Sequence, residues 1–181
     1  MPLAIVIGDG PAGLSAALFL AKNGKETLVF AQDQTPMHAA KLLNYLGIPE
    51  MPGSDFQKIA RKQVTEQGAK IIDAPVESAR RTDEGFSVST PDGASHDARY
   101  LIIATGPKPK LAEDLGLALN KRQTVDADRN GRTSVANLYA VGWSVRPDKI
   151  QAIISAGDGA AAALDILSAE AGKDVHDFDE V

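Results

Sequence analysis

One stretch, Ala4-Ile5-Val6-Ile7-Gly8-Asp9-Gly10-Pro11-Ala12-Gly13, constrains the fold of this chain more than any other. Four apolar residues without polar alternation predict a strand covered on both faces, as in the middle of a parallel sheet. The glycines that follow are spaced G-x-G-x-x-G, and Leu14, Ala17, Leu18 and Ala21 then recur at helical spacing. Gly8 lets the chain turn, Gly10 leaves room for backbone to approach a pyrophosphate, and Gly13 allows the helix to pack close against the strand. Pro11 and Ala12 open a helix whose N-terminus, with unpaired N–H groups and the positive end of the dipole, suits an anion. The stretch predicts a dinucleotide cradle, since strand and helix flank the motif on both sides. The alternative is an ordinary strand, turn and helix with glycines used only for tight packing.

The helix is expected to stop near Asn23-Gly24, and Thr27-Leu28-Val29-Phe30-Ala31 makes a second buried strand. Residues 3–31 thus form a β-α-β unit with parallel strands and a right-handed crossover. In such units an acid about 20 positions past the glycines bonds the ribose. Here Ala31 is followed by Gln32 and Asp33. Either Asp33 reaches back, or Gln32 makes the bond, or the contact is missing.

Bulk properties exclude several function classes. A chain of 181 residues with 44% hydrophobic and 24% charged residues can bury one substantial core. A net charge of -5 disfavours nucleic acid and anionic membrane as partners. Arg80-Arg81 and Lys108-Pro109-Lys110 read as a solvated strand end and a solvated loop. The absence of cysteine excludes disulfides, thiolate ligands, a nucleophilic thiol and a redox-active pair on this chain. With no signal-peptide pattern and no run approaching a membrane span, the expectation is a cytoplasmic protein.

Further along, Pro36, Pro49 and Pro52 bracket a short helix expected over residues 39–46. Ser54 with Gln57 suggests a capping box for a helix carrying Phe56, Ile59, Ala60 and Val64 on one face and stopping at Gly68. Lys70-Ile71-Ile72 is a short strand. Residues 76–99 alternate and turn at Pro91-Asp92-Gly93, which predicts an antiparallel meander over one side of the parallel sheet. Tyr100-Leu101-Ile102-Ile103-Ala104 and Asn137-Leu138-Tyr139-Ala140-Val141 return to the buried pattern, ending at Thr105-Gly106 and Gly142-Trp143. Between them residues 107–136 show no firm periodicity. A long alanine-rich helix, begun by Pro147 or Asp148 and closed by Gly172, ends the core. Gly157 and Gly159 inside it imply close approach by a neighbouring element or by a flat ligand. The tail from His176 to Val181 reads as a solvated acidic end rather than a metal cluster. None of His38, His96 and His176 reads as a catalytic group.

Five blocks in order, Gly8–Ala17, Asn44–Pro49, Ile103–Gly106, Asn137–Gly142 and Gln151–Gly159, resemble the FAD-binding domain of thioredoxin reductases. The resemblance spans nearly the whole chain and implies an α/β, Rossmann-like FAD-binding fold. It implies FAD rather than NAD in the cradle, with Asn44 near the flavin and Ala104, Thr105 and Gly106 along the cofactor. Gln151 and Ala152 would face the pyrimidine edge of the isoalloxazine, where a helix N-terminus stabilises the negative charge of a reduced flavin. The alternative for Gln151 is a cap shared with Asp148.

Three departures from that family matter. The inserted nicotinamide-binding domain has no counterpart beyond residues 107–136, its Cys-x-x-Cys is absent, and the family's aspartate after Gly142 is replaced by Trp143. The expectation is a single FAD-binding domain over residues 1–181 that is not a self-sufficient thioredoxin reductase. It would exchange hydride or electrons with an external partner, either a separate reductase or free NAD(P)H. A module that binds FAD or another dinucleotide without turnover is the alternative. The resemblance also implies a homodimer.

Overall fold

The computed structural model describes residues 1–179. Its centre is a five-stranded parallel sheet in the order β10-β9-β1-β2-β5. The strands are β1 (Ala4–Ile7), β2 (Thr27–Ala31), β5 (Lys70–Asp73), β9 (Tyr100–Ile103) and β10 (Leu138–Ala140). The unalternating strands are covered on both faces, as their composition demands: β1, β2, β9 and β10 are buried at every position. β5 lies at the sheet edge and is only partly buried. Placing β1 in the middle and starting the new half of the sheet at β9 puts a topological switch at the carboxyl end of β1, where ligands of such sheets bind.

One face carries helices α1 (Pro11–Lys22), α2 (Gly53–Glu66) and α4 (Ala152–Ala171). Val6, Val29 and Ile102 from the sheet pack there with Leu14, Leu20, Val64 and Ile166. The opposite face is closed by the antiparallel sheet β6 (Ser78–Arg81), β7 (Phe86–Ser89) and β8 (Ser95–Ala98), and by the short α3 (Lys110–Asp114). Phe86, Val88, Leu111 and Leu115 meet Ile5, Leu28, Leu101 and Ile103 in this second core. The expected α/β Rossmann-like fold with a covering meander is thus observed.

Several local expectations are corrected. Residues 39–46 form no helix: a single 3-10 turn, Pro36–Ala39, leads into β3 (Lys41–Leu42), which pairs antiparallel with β4 (Met51–Pro52). The flanking prolines suit short extended pieces, and two strand residues on each side are too few to leave a periodic signal. The capping box at Ser54 is absent, because α2 starts at Gly53 without a side-chain cap and Gln57 is buried elsewhere. α4 starts at Ala152, since Asp148 is held by Arg122 outside the helix. Within it, Gly159 packs on α1: an added Cβ would strike the Ala12 carbonyl, whereas Gly157 faces open space.

Among the described residues one helix, α4, is long and apolar enough to cross a membrane, with mean hydropathy 1.4, contrary to the expectation that no run approached that length. Alanine, isoleucine and leucine raise that mean, and the small residues let α4 pack against α1. Its Asp158 and Asp165 are paired with Arg146 and Arg132. The tail is tied down by Lys22, which reaches Asp177 at 3.1 Å and Asp179 at 2.7 Å. Glu180 and Val181 lie outside the described residues.

Candidate functional site

The glycine turn sits at the carboxyl end of β1. Gly8 N–H still donates to Phe30 O at 2.9 Å, continuing the sheet, before φ of 109° turns the chain away. A Cβ on Gly8 would collide with the Ala104 carbonyl, and one on Gly13 would collide with the Gly8 carbonyl. Gly8, Gly13 and Ala104 are therefore locked together, as the motif's packing logic requires. Gly10 differs: its nearest neighbour would be Thr35 Oγ1, 3.5 Å from an added Cβ, so its outer side is open. Gly10 caps α1 without a side-chain bond, and no acidic residue lies in the first turn. With Pro11 lacking an N–H, the amides of Ala12 and Gly13 are left without intrahelical partners.

A second helix start lies beside the first. Gly142, with φ of 64°, lets the chain bend so closely that an added Cβ would come within 2.8 Å of Ala12 Cβ and 3.5 Å of Ser155 Oγ. Gln151 precedes α4 with no side-chain cap and no acid in the first turn. Instead of capping with Asp148, Gln151 accepts at Oε1 a hydrogen bond from Asn44 Nδ2 at 3.0 Å. Asn44, Gln151 and Ala152 are thus brought together from ends of the chain far apart in sequence. Ser144 Oγ donates to Gly106 O at 3.1 Å, and Thr105 Oγ1 donates to Lys108 O at 3.1 Å. Trp143 is half-buried in the 3-10 turn Gly142–Ser144.

The candidate ribose contacts are less firmly drawn in. Gln32 and Asp33 are exposed just beyond β2, while Ala31 is buried in the strand. Asp33 adopts φ of 50°, and its Oδ1 lies 2.9 Å from His38 Nε2, so His38 is its partner.

Two clusters were missed from sequence. Asp9, inside the glycine turn, is buried and bonded to Gln57 and Arg61 of α2, and Arg61 also binds Asp73 Oδ1 at 2.5 Å. Burial works against the Arg61 charge, but its bonds to Asp73 and Asp9 more than reverse this and raise its pKa. A polar residue, Gln57, on the buried stripe of α2 with Val64 was the one available signal. The second cluster is Asp165, which accepts from Arg132 at 2.5 and 2.6 Å, Tyr139 at 2.7 Å and Asn130 at 3.1 Å. Burial pushes its carboxyl up, yet these donors together hold it below the usual range. Burial and the Asp165 charge raise the Tyr139 phenol.

An open groove of about 640 Å³ borders that cluster along the C-terminal half of α4. The cradle is nevertheless the better ligand site. The polar groups on the groove's floor satisfy one another, whereas the first turns of two uncapped helices, at Ala12 and Ser155, flank Gly142 beside a turn in which neither Gly8 nor Gly13 has room for a Cβ. Among the described residues no group of acids and histidines could hold a metal. The donor set fits a long cofactor with a diphosphate: backbone amides of α1 for the phosphates, and the α4 start with Asn44 and Gln151 for a polar ring edge.

Comparison with known proteins agrees with this geometry. The pattern of the family described as pyridine nucleotide-disulphide oxidoreductase matches residues 41–158, and that of the FAD binding domain matches residues 4–51. A thioredoxin reductase of Claviceps purpurea is 30% identical over 148 residues, covering 79% of this chain and 43% of that protein. The chain spans less than half the length of the curated relatives it matches. The crystal structure of HlmI superposes with a TM-score of 0.89 at 18% identity, covering 94% of this chain and 93% of that one. A thioredoxin reductase from Gloeobacter violaceus superposes at 0.86 and 18% identity, covering 99% and 98%. The resemblance carried by the five blocks is borne out.

Proposed function

We propose, for a chain that belongs to the pyridine nucleotide-disulphide oxidoreductase family, that it binds FAD along the crevice from Gly8–Gly13 to Gln151 and acts as a flavoprotein oxidoreductase. The observation that carries this reading is that Gly142 sits between Ala12 in the first turn of α1 and Ser155 in the first turn of α4, so that two helices without side-chain caps open beside one glycine turn. When bound, FAD supplies two-electron redox chemistry at its isoalloxazine. The chain's own part is to bind and orient. The Ala12 and Gly13 amides hold phosphate oxygens, and Gly10 leaves them reachable. Ala104–Gly106 flank the cofactor. Asn44 fixes the Gln151 side chain at the start of α4, whose positive end would face the ring edge where a reduced flavin would carry negative charge. Gln32 would meet the ribose, or Asp33 would once its pair with His38 gives way. Trp143 can donate an indole N–H and cover part of the cofactor, but it cannot accept as an aspartate would.

With no cysteine in the sequence, these residues supply no redox-active dithiol of their own. A bound flavin would exchange electrons with an external partner, a separate reductase or free NAD(P)H. The working form would be a cytoplasmic homodimer, organised as one FAD-binding domain with residues 107–136 in place of a nicotinamide domain. The net charge of -5 supports a role apart from nucleic acid and anionic membranes.

Purified protein should be yellow, or become so with added FAD, and should bleach with NADH, NADPH or a reductase supplied with its own electron donor. A protein that is yellow but inert to every donor is a binding or sensing module instead. One that takes up no FAD refutes both readings.

A further inference from the structure

The second residue of the glycine turn is an acid. Asp9 stands between Gly8 and Gly10, immediately before the α1 start, and its side chain is only 6% exposed. A carboxylate there that lacked a partner would be costly to bury and would repel a diphosphate arriving at the same helix start. Its surroundings deal with both problems from one side. Arg61 Nη1 of α2 binds Asp9 Oδ2, and Gln57 Nε2 donates to the Asp9 carbonyl at 2.6 Å and approaches Oδ2 at 3.4 Å. Gln57 Oε1, in contrast, is buried with no hydrogen-bond partner. The amide is turned so that its donor side serves Asp9 alone, and its acceptor is left unsatisfied to keep that orientation. The second arm of Arg61 binds Asp73, the last residue of β5, beside Ala31 at the end of β2. One guanidinium therefore ties the glycine turn to the carboxyl end of the sheet.

We infer that Arg61 is a positioning residue for the phosphate-binding turn. It neutralises Asp9 and, with Gln57, draws the Asp9 carboxylate and carbonyl toward α2, leaving the Ala12 and Gly13 amides to a diphosphate without a competing charge. The inference rests on the FAD reading above. A neutral residue at position 9 would make Arg61 dispensable for binding, and this separates a charge role from mere packing of α2.

The test is FAD titration, followed by flavin fluorescence, of purified wild type, Arg61→Met, Asp9→Asn and the double variant D9N/R61M, with apo-protein unfolding midpoints recorded alongside. R61M should weaken FAD binding by about tenfold or more, because it strands a buried charge at the phosphate site. D9N/R61M should return to within about threefold of wild type, since no charge remains to be neutralised. The inference is overturned if R61M binds like wild type, or if the double variant binds as weakly as R61M. Should R61M fail to fold, the double variant decides alone by the same threshold. A wild type that binds no FAD overturns the proposed function itself, and the inference with it.

Discussion

Asn44 Nδ2 donates to Gln151 Oε1 across 3.0 Å, joining side chains 107 positions apart at the start of α4. Both residues are exposed, so the bond contributes little to folding, but it fixes which way the Gln151 amide faces. Asn44→Ala should change stability by less than about 1 kcal/mol. The same variant should weaken FAD binding severalfold and shift the visible flavin band. Equilibrium unfolding and FAD titration of one preparation check both halves.

Two glycines two residues apart in α4 should respond in opposite directions to alanine. At Gly159 the new Cβ meets the Ala12 carbonyl and must force α1 and α4 apart, costing about 2–3 kcal/mol. At Gly157 it meets nothing, and the gain in helix propensity should stabilise by about 0.5–1 kcal/mol. Urea unfolding of the two apo variants reads the difference directly.

The Asp165 carboxyl is held below its ordinary value by Arg132, Tyr139 and Asn130 despite its burial. A group whose folded pKa is depressed contributes stability above its unfolded value, about 3.9, and loses it as pH falls through the folded value. Stability of the wild type should therefore drop below about pH 4, with Asp165 among the causes. Asp165→Asn should cost about 2 kcal/mol at neutral pH and flatten that acid limb. Unfolding curves at stepped pH test the slope.

At the alkaline end Tyr100 behaves in the opposite sense. Burial, then its hydrogen bond to Glu170 at 2.8 Å, pushes the phenol up to about 12. A raised folded pKa gives stability that is complete below the unfolded value, about 10, and is lost as pH rises through the folded one. Tyr100→Phe should remove a component near pH 12 from the phenolate absorbance titration and make the alkaline limb shallower.

Much of the fold was legible because its signals are local. β1, β2, β9 and β10 are each a short apolar run without alternation, and α1 follows its glycines immediately. The meander declared itself through Phe86 and Val88 alternating with Ser87 and Ser89. What failed was also local, but wrongly so. Ser54 and Gln57 have capping-box spacing, yet Gln57 is drawn to Asp9, whose carbonyl and carboxylate are stronger claims on its amide than the helix end. The stretch around Asn44 looked helical because Ala39, Ala40, Leu42 and Leu43 favour helices, and the pairing of Leu42 with Met51 overrode that preference.

The candidate site divides along the same line. By itself the sequence determined that β1, a glycine turn and α1 form a dinucleotide cradle, because strand period, glycine spacing and helix period are all contained in one short segment. Only the tertiary structure decided what stands around that cradle. It turned Asp9 toward Arg61, sent Asp33 to His38, joined Asn44 to Gln151 and set Gly142 against Ala12. Most of these contacts link residues dozens of positions apart. Charge, hydrogen bonding and close packing act through space, and no periodicity along the chain records which groups will meet.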